Sequence, residues 1–463
     1  MNRPLIFFAL CCLWFGNNLL IAQTTQLESL YFHKEYLTDG TNNLIRADER
    51  GMYTGFGISY FELNNRGYFV RVSKDSIQGL YVIPEGHHVR DFRVYGDDVV
   101  FCGYREASIR PIGLLGTFKT NVLYDPTIPD GMVYHADTST DLNCFSRITC
   151  FYNAHSDAEE FAAIGIALLS GIDQSIPIVV HGIIDSLRQN SGQYIPHTAI
   201  IPSSSNEIFN DIVSTDNYVA IVGNHPNGYF VRYATHTDLT EATNVIFSDE
   251  YYYVTDPVDP INGMRLCATR TTGDEIAIAT AYHGDVKPEK AYHVRVLQVE
   301  TGETRCLQHV QLKEKAEPTE IAYLADNNSL VLLGTCPLYD ISLYKSYFII
   351  LNLDQCVDNA GNKYTADVID ADDIYQSVCS YNGKYFFAAS SMYWFAQRAN
   401  EDIQQSCLAI RTTNVKCLDI ESYYPQYAPL SLHTPALFHI SHRSSLHNNT
   451  PYIYEKCRIN QPE

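Results

Sequence analysis

The sequence predicts an all-β protein built from one repeated sheet unit. Its 34 Tyr and 21 Phe residues favour strands, because aromatic side chains pack well on a pleated, half-buried surface. A strand-like motif, GYFVRV at 67–72, returns as GYFVRY at 228–233, AYHVRV at 291–296 and SYFIIL at 346–351. With 46% hydrophobic and only 18% charged residues, the chain can bury a large core, which excludes wholesale disorder.

A second motif, a short turn followed by an apolar run that ends in a small residue, also recurs along the chain. Its five clear copies are DDVVFCG at 97–103, DNYVAIVG at 216–223, GDEIAIATA at 273–281, NNSLVLLG at 327–334 and NGKYFFAA at 382–389, and its two weaker copies are ERGMYTGFG at 49–57 and SDAEEFAAIG at 156–165. The small residues lie at 57, 103, 165, 223, 281, 334 and 389, so successive differences are 46, 62, 58, 58, 53 and 55. The period is therefore near 55 residues, repeated seven times.

Each apolar run is followed by a copy of the GYFVRV motif, so the two motifs repeat in register. These following strands are predicted at 67–72, 112–118, 178–183, 228–233, 291–296, 346–351 and 407–412. A unit of about four short strands at this spacing resembles a β-propeller blade with inserted loops. The resemblance implies a single seven-bladed β-propeller with four-stranded antiparallel blades. Repeated signatures of WD, kelch or sialidase blades are absent, so no specific family is identified.

Strand physics supports this interpretation. Inner blade strands are covered on both faces by neighbouring blades, so they are expected to be continuously apolar, with a terminal Gly or Ala that permits close approach of the sheets. In GYFVRV, Tyr68, Val70 and Val72 alternate with Phe69 and Arg71, which predicts a third strand that is partly exposed. Stacked β-sandwiches are the alternative, although they do not require a single period.

Closure of a ring requires both chain ends to meet in one blade. Strand-forming segments exist at both ends, SLYFHKEY at 29–36 and TPYIYEKC at 450–457. An unpaired edge in the ring would invite aggregation, so we expect these segments to complete one blade. The sequence leaves open which end supplies which strand.

The N-terminus predicts a signal peptide over residues 1–22. A positive Met1-Asn2-Arg3 segment precedes an apolar stretch at 5–15, and cleavage after Ala22 leaves 23–463 as a single propeller domain. The alternatives are an uncleaved membrane anchor and a lipoprotein acylated at Cys11 or Cys12. We expect export to the periplasm, the cell surface or the medium of a Gram-negative bacterium, in association with the envelope or free of it, with no transmembrane span after cleavage.

The predicted export places the cysteines in a compartment where disulfides can form. Removal of the signal leaves 13 − 2 = 11 cysteines, an odd number, so at least one has no partner within the chain. Cys144 with Cys150, and Cys407 with Cys417, are close enough in sequence to suggest local bridges. Spacing alone does not decide the connectivity.

Charge narrows the classes of partner. The formal net charge is −21, and no run of Lys or Arg interrupts the acidic balance. A nucleic acid would be repelled over most of such a surface, and a contribution to solubility explains the same acidic balance.

The partner site is expected on the loops joining second to third strands, because propellers carry these loops on one face together with the connections between blades. Aromatic and polar residues there suit a protein or glycan contact surface, although each of them could also be an ordinary rim residue. The candidate residues are Tyr104, Arg105, His225, Tyr282, His283, Asp285, Tyr339, Tyr393 and Trp394. Trp394 is the single Trp remaining after signal cleavage, and burial in an extended strand explains it equally well.

No motif predicts a metal, a cofactor or a catalytic centre. His87, His88, His135 and His283 lie among aspartates that include Asp130 and Asp137, but their spacing matches no metal-binding pattern. Nucleophile-elbow, dinucleotide and phosphate-loop motifs are also absent.

The predicted function is an exported, non-enzymatic binding or scaffold module that holds a protein or glycan partner on its loop-bearing face. The alternative is a carbohydrate-active hydrolase or lyase with acid/base residues around the central mouth. A purely structural component of the cell envelope is a third possibility that sequence does not separate from the first.

Overall fold

The computed structural model describes twenty-nine strands and two short helices with their turns. It covers residues 28–34, 40–47, 53–59, 66–72, 77–107, 111–120, 132–135, 140–169, 175–189, 197–200, 208–225, 228–241, 247, 251–254, 266–283, 290–312, 317–336, 345–355, 364–369, 373–381, 384–391, 408–414 and 452–458. These strands form seven antiparallel sheets, here called blades 1 to 7.

Strand β1 (Glu28–Lys34) precedes six blades in which four consecutive strands pair in chain order. Blade 1 comprises β2 (Gly40–Ala47), β3 (Tyr53–Ser59), β4 (Arg66–Val72) and β5 (Ile77–Val82). Blade 2 comprises β6 (His87–Tyr95), β7 (Asp98–Arg105), β8 (Ile112–Lys119) and β9 (Met132–His135). Blade 3 comprises β10 (Thr140–Asn153), β11 (Ala158–Leu169), β12 (Ser175–Ile183) and β13 (His197–Ile200), with helix α1 (Ile184–Gln189) after β12.

Blades 4 to 6 follow the same order. Blade 4 comprises β14 (Ile208–Ser214), β15 (Tyr218–His225), β16 (Gly228–Thr235) and β17 (Tyr251–Val254), with helix α2 (His236–Glu241) after β16. Blade 5 comprises β18 (Leu266–Arg270), β19 (Glu275–His283), β20 (Lys290–Gln298) and β21 (Thr304–Leu312). Blade 6 comprises β22 (Glu317–Leu324), β23 (Ser329–Cys336), β24 (Lys345–Asn352) and β25 (Tyr364–Ile369), with 3₁₀ turns at Ala325–Asn327 and Leu353–Gln355.

Blade 7 contains both ends of the strand series. It comprises β26 (Asp373–Tyr381), β27 (Lys384–Ser391) and β28 (Leu408–Asn414), then β1, then β29 (Tyr452–Arg458). Strand β1 pairs antiparallel with β28 on one side and with β29 on the other. The N-terminal segment therefore supplies the fourth strand of this blade, and the C-terminal segment adds a fifth at its outer edge.

The first strands of the blades form a closed ring. Each of them contacts the first strand of the next blade, and β26 of blade 7 contacts β2 of blade 1. The protein is therefore a single seven-bladed β-propeller, and the alternative of stacked β-sandwiches is wrong. Both sequence motifs are confirmed in their places, since each apolar run forms a second strand and each copy of the GYFVRV motif forms a third strand.

The second strands of blades 2, 4 and 5 are apolar on both faces because each is covered by two neighbouring blades. In β7, Val99 and Phe101 pack in the layer shared with blade 1, whereas Val100 and Cys102 pack in the layer shared with blade 3. All four are fully buried. The same alternation recurs in β15 and β19, so successive blades are joined by dry apolar layers.

The small residue that ends a second strand is required by a neighbouring strand of the same blade. First strands of six blades carry a register shift typical of a β-bulge next to this position. A Cβ atom at Gly103 would lie 1.8 Å from the carbonyl oxygen of His88, and one at Gly223 would lie 2.5 Å from that of Ile208. The bulged backbone therefore occupies the space that a side chain would need.

Third strands are more covered than the alternation predicts. Phe69 and Arg71 share one face of β4, and both are buried, with Arg71 only 5% exposed. Phe69 packs against Phe92, Phe101 and Phe118 of blade 2. The prediction of a partly exposed strand was wrong for this face, because blade 2 covers the third strand as well as the second.

A bridge between Cys144 and Cys150 is also wrong. Both cysteines are free and lie on the same strand, β10. Six residues of extended chain separate their Cα atoms by about 20 Å, far beyond the reach of a disulfide. Cys306 is disulfide-bonded, and the predicted pair Cys407 and Cys417 lies outside the described residues.

Helices contribute little to the described fold. Helices α1 and α2 each have six residues and lie on connections between third and fourth strands. Across the described residues, no helix combines the length and apolar character that crossing a bilayer requires.

Candidate functional site

A cavity of about 250 Å³ lies on the propeller axis, and first strands of all seven blades contribute to its wall. Its charged lining consists of Arg46, Arg93, Arg147, Arg270, Asp211 and Glu320. The remainder includes short apolar and hydroxyl side chains together with Cys267 and Cys379. Because the ring brings one strand from each blade to the axis, residues far apart in sequence meet here.

Side chains of the first strands hydrogen-bond across the seams between blades. At five of the seven seams, within the described residues, a side-chain oxygen accepts the backbone N–H of the next first strand. The pairs are Ile148 N–H to Asp91 Oδ2 (3.1 Å), Ser214 N–H to Thr149 Oγ1 (3.1 Å), Ala268 N–H to Asp211 Oδ2 (2.8 Å), Val378 N–H to Glu320 Oε2 (3.1 Å) and Ile45 N–H to Ser377 Oγ (3.1 Å). We call this set the seam belt.

Arg46 contacts three side chains of the seam belt, those of Asp91, Glu320 and Ser377. Its Nη2 lies 2.8 Å from Asp91 Oδ1 and 2.7 Å from Glu320 Oε1, so one guanidinium joins carboxylates of blades 2 and 6. Its Nη1 donates to Ser377 Oγ (3.1 Å), and its Nε donates to the carbonyl of Phe92 (3.2 Å). Burial alone would lower the pKa of Arg46, but the charges of Glu320 and Asp91 outweigh it and raise the pKa. Arg46 is therefore a permanently charged structural group.

The pKa values of Asp91 and Asp211 are shifted in opposite directions. Burial would raise the pKa of Asp91, but the charges of Arg93, Arg46 and Arg147 outweigh it, so its pKa lies below the usual value. For Asp211 burial prevails over the charge of Arg147 and raises the pKa. Asp211 nevertheless accepts two backbone hydrogen bonds, from Ile212 to Oδ1 (2.9 Å) and from Ala268 to Oδ2 (2.8 Å).

The guanidinium of Arg147 makes fewer contacts than that of Arg46. Its Nε is 4.0 Å from Asp211 Oδ1, too far for a hydrogen bond, and its side chain is 26% exposed in the channel. Arg93 uses Nη1 on Asp91 Oδ1 (2.9 Å) and on the carbonyl of Phe92 (3.1 Å). Arg270 pairs through Nη2 with Asp216 on the surface.

The cavity extends towards the face opposite to the predicted partner site. Strand direction places the connections between first and second strands on one face, here called the turn face, and those between second and third strands on the other, the loop face. Arg270 ends β18 and Tyr323 lies next to the end of β22, and both line the cavity. The cavity therefore occupies the part of the channel nearer the turn face.

Two of the predicted partner residues have described side chains, and both lie at the loop face. Tyr104 stacks on His88 with ring centroids 4.6 Å apart, and the guanidinium of Arg90 lies 5.2 Å from the centroid of the Tyr104 ring. His88 Nε2 lies 2.8 Å from Glu106 Oε1. Arg105 ends β7 and pairs with His87 in the ladder. The Tyr104 ring, one residue before the end of β7, is thus held by contacts with His88 and Arg90.

The other predicted residues are placed in part. His225 ends β15, whereas Tyr282 and His283 end β19, so these three also lie at the loop face by strand direction. Asp285, Tyr339, Tyr393 and Trp394 lie outside the described residues. The contact surface as a whole stays a prediction.

Sequence reasoning missed the channel residues, although a signal for some of them exists. Asp91, Asp211 and Ser377 each follow the bulge of a first strand. Each precedes the small residue of its blade by the same interval, since 103 − 91, 223 − 211 and 389 − 377 all equal 12. A polar residue repeated at this offset is the pattern that would have indicated the seam belt.

No metal centre is formed by the part of the chain that the structure describes. Within it, no group of three or more His, Cys, Asp or Glu side chains is arranged to hold an ion. His87 Nδ1 lies 3.0 Å from the carbonyl oxygen of Glu85, and His88 is engaged with Glu106. Asp130 and Asp137 lie outside the described residues.

Comparisons with known proteins support the architecture. No protein-family model matches this chain, and no curated protein matches it. Among solved structures, polysaccharide lyase Uly1 is similar with a TM-score of 0.50 at 9% sequence identity, over 84% of this chain and 100% of that one. A catalytically inactive virginiamycin B lyase from Staphylococcus aureus with quinupristin has a TM-score of 0.46 at 12% identity, over 84% and 99% of the two chains. A Hadza microbial sialidase, Hz136, has a TM-score of 0.45 at 8% identity, over 70% and 67%. At such identities the likeness shows the fold alone, which is that of a β-propeller.

Proposed function

We propose that this chain is an exported, non-enzymatic binding module that holds a protein or glycan partner. The observation that carries the proposal is the commitment of the channel carboxylates to the seam belt. Asp91, Asp211 and Glu320 each accept a backbone N–H of the following blade. A general acid or base needs a carboxyl group that is free to approach the substrate, and these groups instead join blades.

The raised pKa of Asp211 is the one observation that favours a carbohydrate-active enzyme. Glycosidases use a carboxylic acid of raised pKa together with a second carboxylate about 5 to 10 Å away. Both oxygens of Asp211, however, already accept backbone hydrogen bonds. The channel thiols are also poor nucleophiles, since burial raises the pKa of Cys267 and of Cys379 far above neutrality.

Export is supported by the predicted signal segment and by the disulfide at Cys306, because structural disulfides persist in oxidising compartments. The net charge of −21 favours a protein or glycan over a nucleic acid as the partner. The proposed contact surface is the loop face, where the ring of Tyr104 packs against His88 and Arg90. A rigid aromatic anchor of this kind loses little entropy on binding.

The test is crosslinked affinity capture of the tagged mature protein from its source cells, beside a glycan array. A loop-face variant, Tyr104→Ala with Tyr282→Ala and His283→Ala, is compared with Tyr152→Ala, which removes a 50% exposed aromatic residue at the turn face. We expect one partner recovered in stoichiometric amount, lost with the loop-face variant and kept with Tyr152→Ala. Loss of the partner in Tyr152→Ala alone would indicate that the partner binds the turn face. If the wild type captures no partner and binds no glycan on the array, the proposal of a binding module is wrong.

Turnover distinguishes the enzyme. Polysaccharides of varied composition are incubated with the wild type and with Asp211→Asn, and new reducing ends or unsaturated products are measured. We expect no turnover by either protein. Turnover by the wild type that Asp211→Asn abolishes would replace the binding module by a hydrolase or lyase.

A further inference from the structure

Four arginines line the channel cavity of this strongly acidic protein. Three of them, Arg46, Arg93 and Arg270, form close ion pairs with carboxylates, whereas Arg147 has no hydrogen bond among the described residues. A concave site walled by low-dielectric strands strengthens the field of such charges. We propose that this cavity binds one anionic group of the ligand, a carboxylate, sulfate or phosphate ester, through Arg147.

The arginines of the cavity are not all counter-ions of the seam belt. The guanidinium of Arg46 already contacts Asp91 and Glu320 and donates to Ser377 Oγ and to the carbonyls of Ile45 and Phe92. It is therefore unavailable to a ligand. Arg147 has no hydrogen-bond partner among the described residues, and its nearest carboxylate oxygen is 4.0 Å away. Asp211 lies at ion-pair distance from Arg147, but both of its oxygens accept backbone N–H groups and neither forms a hydrogen bond with the guanidinium. The donors of Arg147 are therefore available to an added anion.

Guanidinium chemistry specifies the kind of group that fits. Its planar fork donates two parallel hydrogen bonds to a carboxylate, sulfate or phosphate, and such charge-assisted pairs are stronger than neutral ones. Nearby Asp211, Asp91 and Glu320 outweigh the effect of burial and raise the pKa of Arg147, so it stays charged. A neutral sugar would leave this charge without a partner.

Cavity size limits what enters. The volume of about 250 Å³ is below the roughly 300 to 1,000 Å³ of pockets that enclose drug-sized ligands. One charged group, or one sugar ring that bears it, fits the space, and the remainder of a larger ligand stays outside. Because Arg270 and Tyr323 mark the turn-face end of the cavity, the ligand enters from that face. This inference rests on the proposed binding function and adds a second contact, on the face opposite to the aromatic surface.

Calorimetric titration of the mature protein with defined small anions tests the proposal. The probes are glucuronate, inorganic sulfate and inorganic phosphate, with glucose as the neutral comparison at equal ionic strength. A response to glucuronate alone assigns the anion to a sugar acid, whereas a response to sulfate or phosphate assigns it to an ester. We expect the wild type to bind at least one anion and not to bind glucose.

Three variants locate the site. Arg147→Gln removes the charge and the fork, and Arg147→Lys keeps the charge beside Asp211 but removes the fork. Arg305→Gln removes an arginine of the outer strand β21, where it pairs with Glu275 at 3.0 Å. We expect affinity to fall about tenfold to a hundredfold for Arg147→Gln, by a smaller factor for Arg147→Lys, and not at all for Arg305→Gln.

Several outcomes overturn the inference. They are equal binding of glucose and glucuronate, absence of anion binding by the wild type, and unchanged affinity in Arg147→Gln. If Arg147→Gln does not fold, Arg147→Lys decides, and unchanged affinity there overturns the role of the fork. If the Arg147→Gln variant still captures a partner but the wild type binds no anion, only this inference is wrong. The proposed binding function is then unaffected.

Discussion

The apolar layers between blades and the channel at their inner edge join the same seven sheets by different means. In the layer between blades 1 and 2, Phe69, Phe101 and Phe118 meet with ring centroids 5.1 to 6.4 Å apart and no polar partner is needed. At the channel, Asp91 instead joins blades through the Ile148 N–H and the Arg46 guanidinium. Layers are dry and non-directional, whereas the seam belt is charged and depends on geometry.

The apolar layers contribute mainly to stability, whereas the channel can also bind a ligand. Hydrophobic burial scales with area and tolerates exchange of similar side chains, so the layers hold the ring without specifying any ligand. Within the described part of the chain, the contacts of the seam belt leave the guanidinium N–H groups of Arg147 without hydrogen-bond acceptors. Such groups in a cavity can donate to a charged ligand. The following substitutions test this division, ordered from the largest expected effect to the smallest.

Phe101→Ala tests the layers. Phe101 is fully buried, and its ring lies over Gly116, where an added Cβ would come within 2.1 Å of it. Truncation leaves a cavity with no side chain able to fill it, so the free energy of unfolding should fall by about 3–5 kcal/mol. Chemical denaturation measures the loss, with Tyr152→Ala as the half-exposed aromatic control. A loss below about 1 kcal/mol would contradict the importance of the layer.

His181 tests a polar group within the buried region. It is 2% exposed, stacks on His197 at 5.1 Å, and its Nε2 has no hydrogen-bond partner in the part of the chain that is described. Burial and the charge of His197 lower the pKa of His181 from 6.5 to about 4. The folded protein therefore keeps it neutral while the unfolded chain protonates it, so stability falls as the pH decreases from 6.5 to about 4. The difference corresponds to about 3 kcal/mol.

Denaturation at several pH values checks this dependence. His181→Phe should remove the corresponding slope between pH 6.5 and 4, whereas His155→Phe on the exposed turn of blade 3 should retain it. An unchanged slope in His181→Phe would show that another group titrates in this interval.

Asp91→Asn tests the seam belt. The substitution keeps the shape but removes the charge that holds Arg46 and Arg93, so the free energy of unfolding at neutral pH should fall by about 2–3 kcal/mol. Since its neighbours lower the pKa of Asp91, the stabilisation is present above the ordinary value of 3.8 and is lost as the pH falls through the folded-state pKa. The gap between wild type and variant should therefore narrow in acid. Asp185→Asn, on the surface of α1, is the control, and an equal loss there would contradict a special role for the belt.

Ser377→Ala tests the closing seam, with the smallest effect. Its Oγ accepts the Ile45 N–H and donates to Glu320, which joins blade 7 to blades 1 and 6. Loss of these bonds should cost about 1–2 kcal/mol. Ser146→Ala, whose hydroxyl donates within blade 3 to the carbonyl of Ile164 at 3.4 Å, is the matched control. Equal effects of the two substitutions, measured by denaturation, would show that the seam bond adds nothing beyond an ordinary one.

The fold was predictable from sequence to a greater extent than the site. Runs such as VVFCG and VAIVG encode second strands through local composition, and their spacing revealed seven blades. Arg105 and His225, which the sequence predicted on loops after second strands, are the last residues of β7 and β15, and their role as contact residues stays a prediction. In contrast, Arg46 and Glu320 are separated by 274 residues and have no local pattern that links them.

By itself, the sequence determined the strand order within each blade, the number of blades and the two terminal segments available for closure. These properties depend on short-range patterns of apolar residues and turns, which are present in the chain whatever its conformation. Tertiary structure alone decided which terminus forms which strand of blade 7, which blade faces are covered and which charges meet on the axis. Ring closure brings one strand from each blade to a common centre, so the channel chemistry arises from residues up to 332 positions apart.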